Sequence, residues 1–291
     1  MHPLVGGVIL FTRNYENGAQ LCALTGQIHA LRTPALLICV DHEGGRVQRF
    51  RDGFTAIPPM RTLGELWDRD VAHAASEARR LGEIIARELR SHGVDFSFTP
   101  VLDVDFGTSG VIGDRAFSSN PNAVADLAAS LCRGLRTGGC AAVGKHFPGH
   151  GFVAADSHHE IPIDPRPLSE LIASDLVPFA VLAKAGLEAV MPGHVVYPEV
   201  DTLPAGYSPV WIRDILRGRL AFDGLVFSDD LGMAGAYTAG DIVARADAAL
   251  AAGCDMVLTC NEADAADDLL SRWRPSAQPR LADRSARMAG R

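Results

Sequence analysis

Between Lys145 and Glu160 the chain reads KHFPGHGFVAADSHHE, and four of its ten histidines (His146, His150, His158 and His159) fall within fourteen residues of it. Pro148, Gly149 and Gly151 interrupt any regular helix there, so the imidazoles follow no secondary-structure pattern. Two chemistries suit such a stretch. Imidazole and carboxylate are ordinary zinc ligands, and His146, His150, Asp156, His158 and His194 make one candidate set. In HFPGH, however, Pro148 and Gly149 stand between the two histidines, which removes the helical i, i+4 face that a zinc-binding HExxH pair uses. Alternatively, Asp156-Ser157-His158 sets a carboxylate two residues before an imidazole. Such a carboxylate orients the ring and holds its proton, giving an acid/base that works near neutral pH. Asp229, at the end of an apolar run, is then available as a nucleophile. By itself Asp-x-His is a weak pattern, and a loop-stabilising hydrogen bond would produce it equally well.

Other polar residues are placed at regular points. Asp41, Asp103, Lys145-His146, His194 and Asp229-Asp230 each close a different apolar run. In a closed parallel barrel those C-terminal strand ends converge on one face, where the loops build the active site. A single strand-end charge needs no explanation beyond reaching solvent. Five runs ending this way favour a shared site.

The runs that must position these residues are GGVILF (6–11), ALLICVD (35–41), DFSFTPVLDV (95–104), AAVGKHF (141–147), EAVMPGH (188–194), GLVFSDD (224–230) and DMVLTC (255–260). They are continuously apolar rather than alternating, as strands buried on both faces should be. Helical patterns separate them. Segment 74–91 places Leu81, Ile84, Ile85 and Leu89 on one stripe before Gly93. Segment 122–137 does the same with Val124, Leu127, Leu131 and Leu135 before Gly138-Gly139. Ser208-Pro209 marks the start of a helix through Leu220. Alternating strands and helices predict an α/β fold with a parallel sheet. Seven runs are one short of a (β/α)8 barrel, and the chain opens almost directly on the first of them.

Composition narrows the function classes. A chain of 291 residues, 47% hydrophobic, can bury a large core. The net charge of −8 speaks against nucleic acid or an anionic membrane as main partner. Six cysteines without CxxC spacing read as reduced core residues of a cytosolic protein. No run is long enough to span a membrane, and no signal peptide is visible. Only two of the 27 basic residues are lysine, Lys145 and Lys184, which singles out the lysine that stands inside the histidine stretch.

KHFPGHG followed by DSH, with DHEGGRVQRF upstream and GLVFSDDLGM downstream, resembles the β-N-acetylhexosaminidases of glycoside hydrolase family 3, and those of the peptidoglycan-recycling type most of all. The resemblance runs in matching order from His2 to about Asn261. Members of that family have a barrel that begins one strand and one helix earlier. The resemblance therefore implies a TIM-like (β/α)8 barrel lacking its first strand and helix, with a start codon assigned too far downstream. One catalytic domain is expected over residues 1–273 and a C-terminal tail, short helix or disordered, over 274–291.

Site roles follow from the resemblance position by position. Asp229, the first Asp of SDD, matches the catalytic nucleophile. His158 matches the general acid/base, with Asp156 as its dyad partner. Asp41, Arg49, Arg115, Lys145 and His146 match sugar-binding positions, and His194 in MPGHV matches a polar position of the pocket. Asp41 suits hydrogen bonds from two sugar hydroxyls, and Lys145 and Arg115 suit donation to oxygens. The implied reaction is retaining removal of a terminal N-acetylglucosamine from muropeptides. Such enzymes ordinarily use two carboxylates about 5–5.5 Å apart, and an Asp–His pair replaces one of them here. Gly149, Gly151 and Ala154-Ala155 around that pair predict a loop able to close over substrate. No metal or cofactor is expected, and a cytoplasmic monomer is. Two alternatives remain. A neutral imidazole base would not repel an anion as a carboxylate does, a difference of about 1–4 kcal/mol at 4 Å, so phosphate could compete with water and make the enzyme a phosphorylase. The other alternative is a catalytically silent sugar-binding module.

Overall fold

The computed structural model describes residues 2–155 and 161–289. In chain order the strands are β1 (Gly7–Leu10), β2 (Leu37–Val40), β3 (His42–Gly44), β4 (Val47–Gln48), β5 (Phe96–Ser97), β6 (Val143–Phe147), β7 (Ala189–Pro192), β8 (Val196–Tyr197), β9 (Asp201–Pro204), β10 (Leu225–Asp230) and β11 (Met256–Leu258). The two antiparallel pairs, β3–β4 and β8–β9, are small hairpins at strand ends. The other seven strands fall on the seven apolar runs and are parallel, in the orders β1-β2-β5 and β6-β7-β10-β11. Parallel bridges Phe96–Ala141 and Val101–Lys145 join the two groups.

The barrel is not hydrogen-bonded all round. Among the described residues no strand pairs with the outer edge of β1 or β11. Side chains fill this seam instead. A Cβ on Gly6 would meet Met256 Cε at 2.5 Å, and higher up Arg13 Nη1 donates to Asn261 Oδ1 at 3.0 Å.

Two apolar layers explain why the strands read as continuous runs. Ile38, Val40, Val190 and Val226 point outward into the core shared with the helices. Their neighbours Leu37, Cys39, Phe96, Phe98, Val143, Ala189, Met191, Leu225 and Phe227 point inward and fill the barrel. Phe96, Phe98 and Phe227 meet there with ring centroids 5.4–5.8 Å apart. Side chains along a strand alternate, so every second residue continues the inward row. Leu37 and Cys39 lead to Asp41, Val143 leads to Lys145, and Leu225 and Phe227 lead to Asp229. The barrel's apolar filling thus ends in charged residues at its C-terminal mouth.

The helices are α1 (Gly18–His29), α2 (Arg61–Trp67), α3 (Val71–Ser91), α4 (Pro121–Thr137), α5 (Leu168–Ala173), α6 (Leu176–Lys184), α7 (Ile242–Ala252), α8 (Ala263–Arg272) and α9 (Leu281–Ala286). Asp70 and Asn120 side chains cap α3 and α4. These two helices pack backbone to backbone: a Cβ on Gly82 would come within 2.3 Å of Leu131 O, and one on Gly134 within 2.0 Å of Arg79 O. The helix expected after Ser208 spans Val210–Arg219, with the Ser208 hydroxyl accepting from the Trp211 amide at 3.1 Å. It is wound in the wider π register, as the Leu220 N to Ile215 O bond at its end illustrates. Beyond α8, α9 lies under the N-terminal end of the barrel. Arg280 and Arg284 hold Asp223 there, Arg284 also holds Asp255, and Met288 is fully buried against the barrel interior. Among the described residues no helix is long and apolar enough to cross a membrane.

Candidate active site

The inward rows emerge into a cleft of about 640 Å³ at the C-terminal mouth, lined by Asp41, Glu43, Arg49, Arg115, Lys145, His146, His150 and Asp229 among others. On one wall the charges form a chain. Lys145 Nζ lies 2.7 Å from Asp41 Oδ1 and 2.6 Å from Glu43 Oε1. Arg115 forks onto the same glutamate, Nε to Oε2 and Nη2 to Oε1, both at 2.8 Å. Arg49 Nη2 stands 3.8 Å from Asp41 Oδ2. The Lys145 and Glu43 side chains are only 3% and 2% exposed, so these charges depend on one another and not on water. Burial alone would push the Glu43 carboxyl up, but Arg115 and Lys145 overcome it and hold the group well below the usual carboxylate range. Burial would likewise lower Lys145, yet Asp41 and Glu43 raise it.

Local backbone puts Glu43 in place. It follows Asp41 by two residues in the extended segment leaving β2, so both carboxylates face Lys145. The chain then turns at Gly44 and Gly45, with φ of +110° and +54°. A Cβ on Gly44 would also strike the Pro58 carbonyl at 2.7 Å.

His146 is oriented by Asp103, which is fully buried. Asp103 Oδ2 accepts from His146 Nδ1 at 2.7 Å, and Oδ1 accepts from the backbone amides of His146 and His150 at 3.2 and 2.7 Å. With its proton on Nδ1, the ring presents Nε2 as the second nitrogen for the cleft. Burial works against the Asp103 carboxylate, but His146 and His150 outweigh it and keep the group below its ordinary value.

At the head of β10 the two aspartates separate. Asp229 continues the inward row, and its Oδ1 accepts from the Asp230 amide at 2.8 Å. Burial would raise it, but the imidazoles of His194 and His146, the Asp230 amide and Lys145 together bring it below the ordinary carboxylate value. The shift favours the carboxylate, the form of this group that can attack an electrophilic carbon. Asp230 turns to the backbone, its Oδ1 accepting from the amides of Gly232 and Cys260 at 2.9 and 3.1 Å. Burial raises its pKa.

The expected site residues divide accordingly. Asp41, Arg49, Arg115, Lys145, His146 and Asp229 line one cleft. His194, expected on the pocket wall, sits behind it. It is fully buried, it is not among the lining residues, and its Nε2 bonds the Asp230 carbonyl at 3.1 Å. Its ring packs instead on Tyr207, centroids 5.5 Å apart. Asp156 and His158 lie outside the described residues. Glu43 lines the cleft although it is absent from the expected set, and His150, expected only as a candidate zinc ligand, lines it as well. The i, i+2 spacing of Asp41 and Glu43 in DHEGG was the available signal for the former. Gly149 and Gly151, expected as loop pivots, are close-approach positions: a Cβ would lie 2.6 Å from Asp175 Oδ1 and 1.8 Å from Val104 O respectively. Among the described residues no group of three or more His, Cys, Asp or Glu is placed to hold a metal ion.

The sequence pattern of the glycosyl hydrolase family 3 N terminal domain matches residues 1–289. The Beta-hexosaminidase of Chromobacterium violaceum is 60% identical over 290 residues, covering 100% of this chain and 81% of its own. That of Bordetella avium is 62% identical over 288 residues, covering 99% and 82%. Among solved structures, native NagZ from Neisseria gonorrhoeae superposes with a TM-score of 0.95 at 51% identity, covering 100% of this chain and 84% of that one. Agreement in sequence and in fold over essentially the whole chain leaves one conclusion: the chain belongs to glycosyl hydrolase family 3.

Proposed function

We propose that this protein is a retaining exo-β-N-acetylglucosaminidase that removes N-acetylglucosamine from the non-reducing end of its substrates, as the names of its Beta-hexosaminidase relatives support. One observation carries the mechanism. An ionised, inward-facing Asp229 shares the cleft with the Asp41–Lys145–Glu43–Arg115 charge chain. Hydroxyls of the terminal sugar can replace water on Asp41, Arg49, Arg115, Lys145 and His146, which fixes the anomeric carbon over Asp229. Asp229 attacks that carbon, the glycosidic bond breaks, and His158, oriented by Asp156, gives its proton to the leaving oxygen. Water then adds to the anomeric carbon, returns a proton to His158 and frees Asp229. Asp230, engaged by two amides, supports the strand end and takes no part in bond making.

We further infer that the substrates are muropeptides, that the enzyme works in the cytoplasm as a monomer, and that catalysis resides in the barrel over residues 1–273, with the segment from 274 sealing its base. The experiment is hydrolysis of N-acetylglucosaminyl-β-1,4-N-acetylglucosamine followed by proton NMR. Free β-N-acetylglucosamine should form first and then mutarotate. The α anomer formed first would overturn retention, the 1-phosphate formed in phosphate buffer would make the enzyme a phosphorylase, and binding without cleavage would make it a sugar-binding module.

A further inference from the structure

Arg166 is buried, 8% exposed, between two fully buried aspartates. Its Nε and Nη2 donate to Asp164 at 3.0 and 2.6 Å. Its Nη1 and Nη2 donate to Asp175, between α5 and α6, at 2.8 and 3.2 Å. Two rings pack on the same guanidinium. Its Cζ stands 4.2 Å from the centroid of Phe152 and 4.6 Å from that of Phe106, and the rings meet edge to face at 5.6 Å. One cation here faces two carboxylates, and burial raises the Asp175 pKa even with Arg166 beside it. Burying such charges costs desolvation, and well-packed apolar residues often hold a fold as well. What the cluster supplies is direction, because a planar fork with aromatic contacts fixes the orientation of its partners as well as their distance.

Those partners come from both sides of one stretch of chain. Ahead of it, after β6, the Tyr197 hydroxyl donates to the Gly149 carbonyl, and Gly149 packs so closely on Asp175 that a Cβ there would lie 2.6 Å from Oδ1. Phe152 follows, its ring on Arg166 and its carbonyl accepting from the Thr108 hydroxyl at 2.5 Å. Behind the stretch, the Asp164 amide donates to the Val196 carbonyl and the Val196 amide to that of Pro162, both at 2.9 Å. Asp164 then turns its carboxylate to Arg166. One guanidinium therefore joins Phe152 to Asp164, and Asp156 and His158 lie between these two in sequence. Neither Phe152 nor Arg166 lines the cleft.

We propose that Arg166 is a positioning residue for the acid/base: clamped by Asp164 and Asp175, it fixes both ends of the stretch that carries Asp156 and His158. The inference rests on the proposed role of His158 as proton donor to the leaving oxygen. A general acid must come within hydrogen-bond reach of that oxygen, and a misplacement of about 1 Å caused by a distant change can cost about 10²-fold.

The test uses the phenyl and dinitrophenyl β-N-acetylglucosaminides, with the full chain as enzyme. Phenoxide leaves poorly without a proton, whereas dinitrophenoxide leaves without help, so the ratio of kcat/KM for dinitrophenyl over phenyl reads proton donation. Phe152→Leu carries the decision, because it removes the ring and leaves the three charges paired. It should raise the ratio about tenfold, within the 10²–10⁴-fold that a general acid contributes, through a fall on the phenyl substrate alone. The dinitrophenyl rate then also reports that the variant is folded. Phe152→Tyr, which keeps the ring, should restore the parental ratio, and Arg166→Lys, which keeps the charge but not the fork, should raise it. In a His158→Ala background Phe152→Leu should leave the ratio where His158→Ala alone puts it. Equal losses on both substrates would show a merely structural role and overturn the proposal. So would an unchanged ratio in Phe152→Leu, or a further rise in the His158→Ala background. A parental ratio in His158→Ala itself would instead overturn the acid/base assignment on which the proposal rests.

Discussion

Replacing Glu43 by glutamine removes one negative charge from a place where two cations depend on it. The Glu43 side chain is 2% exposed, Arg115 meets it through two bonds of 2.8 Å, and Lys145 approaches to 2.6 Å. Glutamine keeps the shape, but it offers one oxygen where two accepted and turns an amide toward guanidinium or ammonium. Breaking a buried ion pair from one side costs about 3–5 kcal/mol, because the remaining charge stays buried without compensation. Part of that loss is relieved here, since Asp41 still holds Lys145 at 2.7 Å. At about 2–4 °C per kcal/mol for a chain near this size, the expected fall in Tm is on the order of 10 °C. Thermal and urea denaturation of parent and variant measure it. Glu77→Gln is the control, because Glu77 pairs with an Arg80 that is 59% exposed, and such surface pairs are worth about 0–1 kcal/mol. The pH dependence has a definite sign. The folded Glu43 carboxyl is held well below its unfolded value of about 4.3, so its contribution is present above that value and is lost as pH falls toward the folded one. The stability gap between parent and Glu43→Gln should therefore be widest at neutral pH and shrink below pH 4. A Glu43→Gln loss no larger than that of Glu77→Gln, or a gap that widens on acidification, would refute the reasoning.

Asp103→Asn should lower kcat/KM about 10–100-fold, the worth of a charge-assisted hydrogen bond of roughly 1.5–3 kcal/mol, and should shift the nitrogen NMR signals of the His146 ring. Full activity with unchanged ring signals would show that Asp103 does not orient His146. Two glycine substitutions should act in opposite directions. Gly151→Ala drives a methyl to 1.8 Å from the Val104 carbonyl and should destabilise by about 1–3 kcal/mol, whereas Gly26→Ala meets nothing within 4 Å inside α1 and should stabilise by about 0.5–1 kcal/mol. Equal effects in a melting experiment would contradict the close-approach account of Gly151.

The parts that sequence made visible share a physical cause. Strands of a parallel barrel are buried on both faces, so they appear as unbroken apolar runs. Asp41, Lys145 and Asp229 stood out because a charge ends each run. Their convergence followed from strand alternation, which carries the inward rows of β2, β6 and β10 to one mouth. What remained hidden depends on neighbours distant in sequence. Asp103 and His146 are 43 residues apart and meet because β6 lies beside the segment following β5. Arg115 and Glu43, 72 apart, meet across the cleft. His194 carried the same strand-end signature as the lining residues, but its ring is buried against Tyr207 and the Asp230 carbonyl, neighbours distant in sequence. The segment after Arg274 had no legible pattern because its burial rests largely on one residue, Met288. The π winding of Val210–Arg219 leaves the apolar stripe of an ordinary helix and is indistinguishable from one in sequence.

Trapping the glycosyl-enzyme addresses the mechanism at its reacting atom. A 5-fluorinated N-acetylglucosaminyl fluoride should acylal-link to the nucleophile and turn over slowly, and peptide mass spectrometry then locates the added sugar. The label should fall on Asp229, and Asp229→Ala should retain the parent's fold by circular dichroism while accepting no label. A label on Asp230, or Asp229→Ala with near-parental turnover, would contradict the assignment of the inward-facing carboxylate as nucleophile.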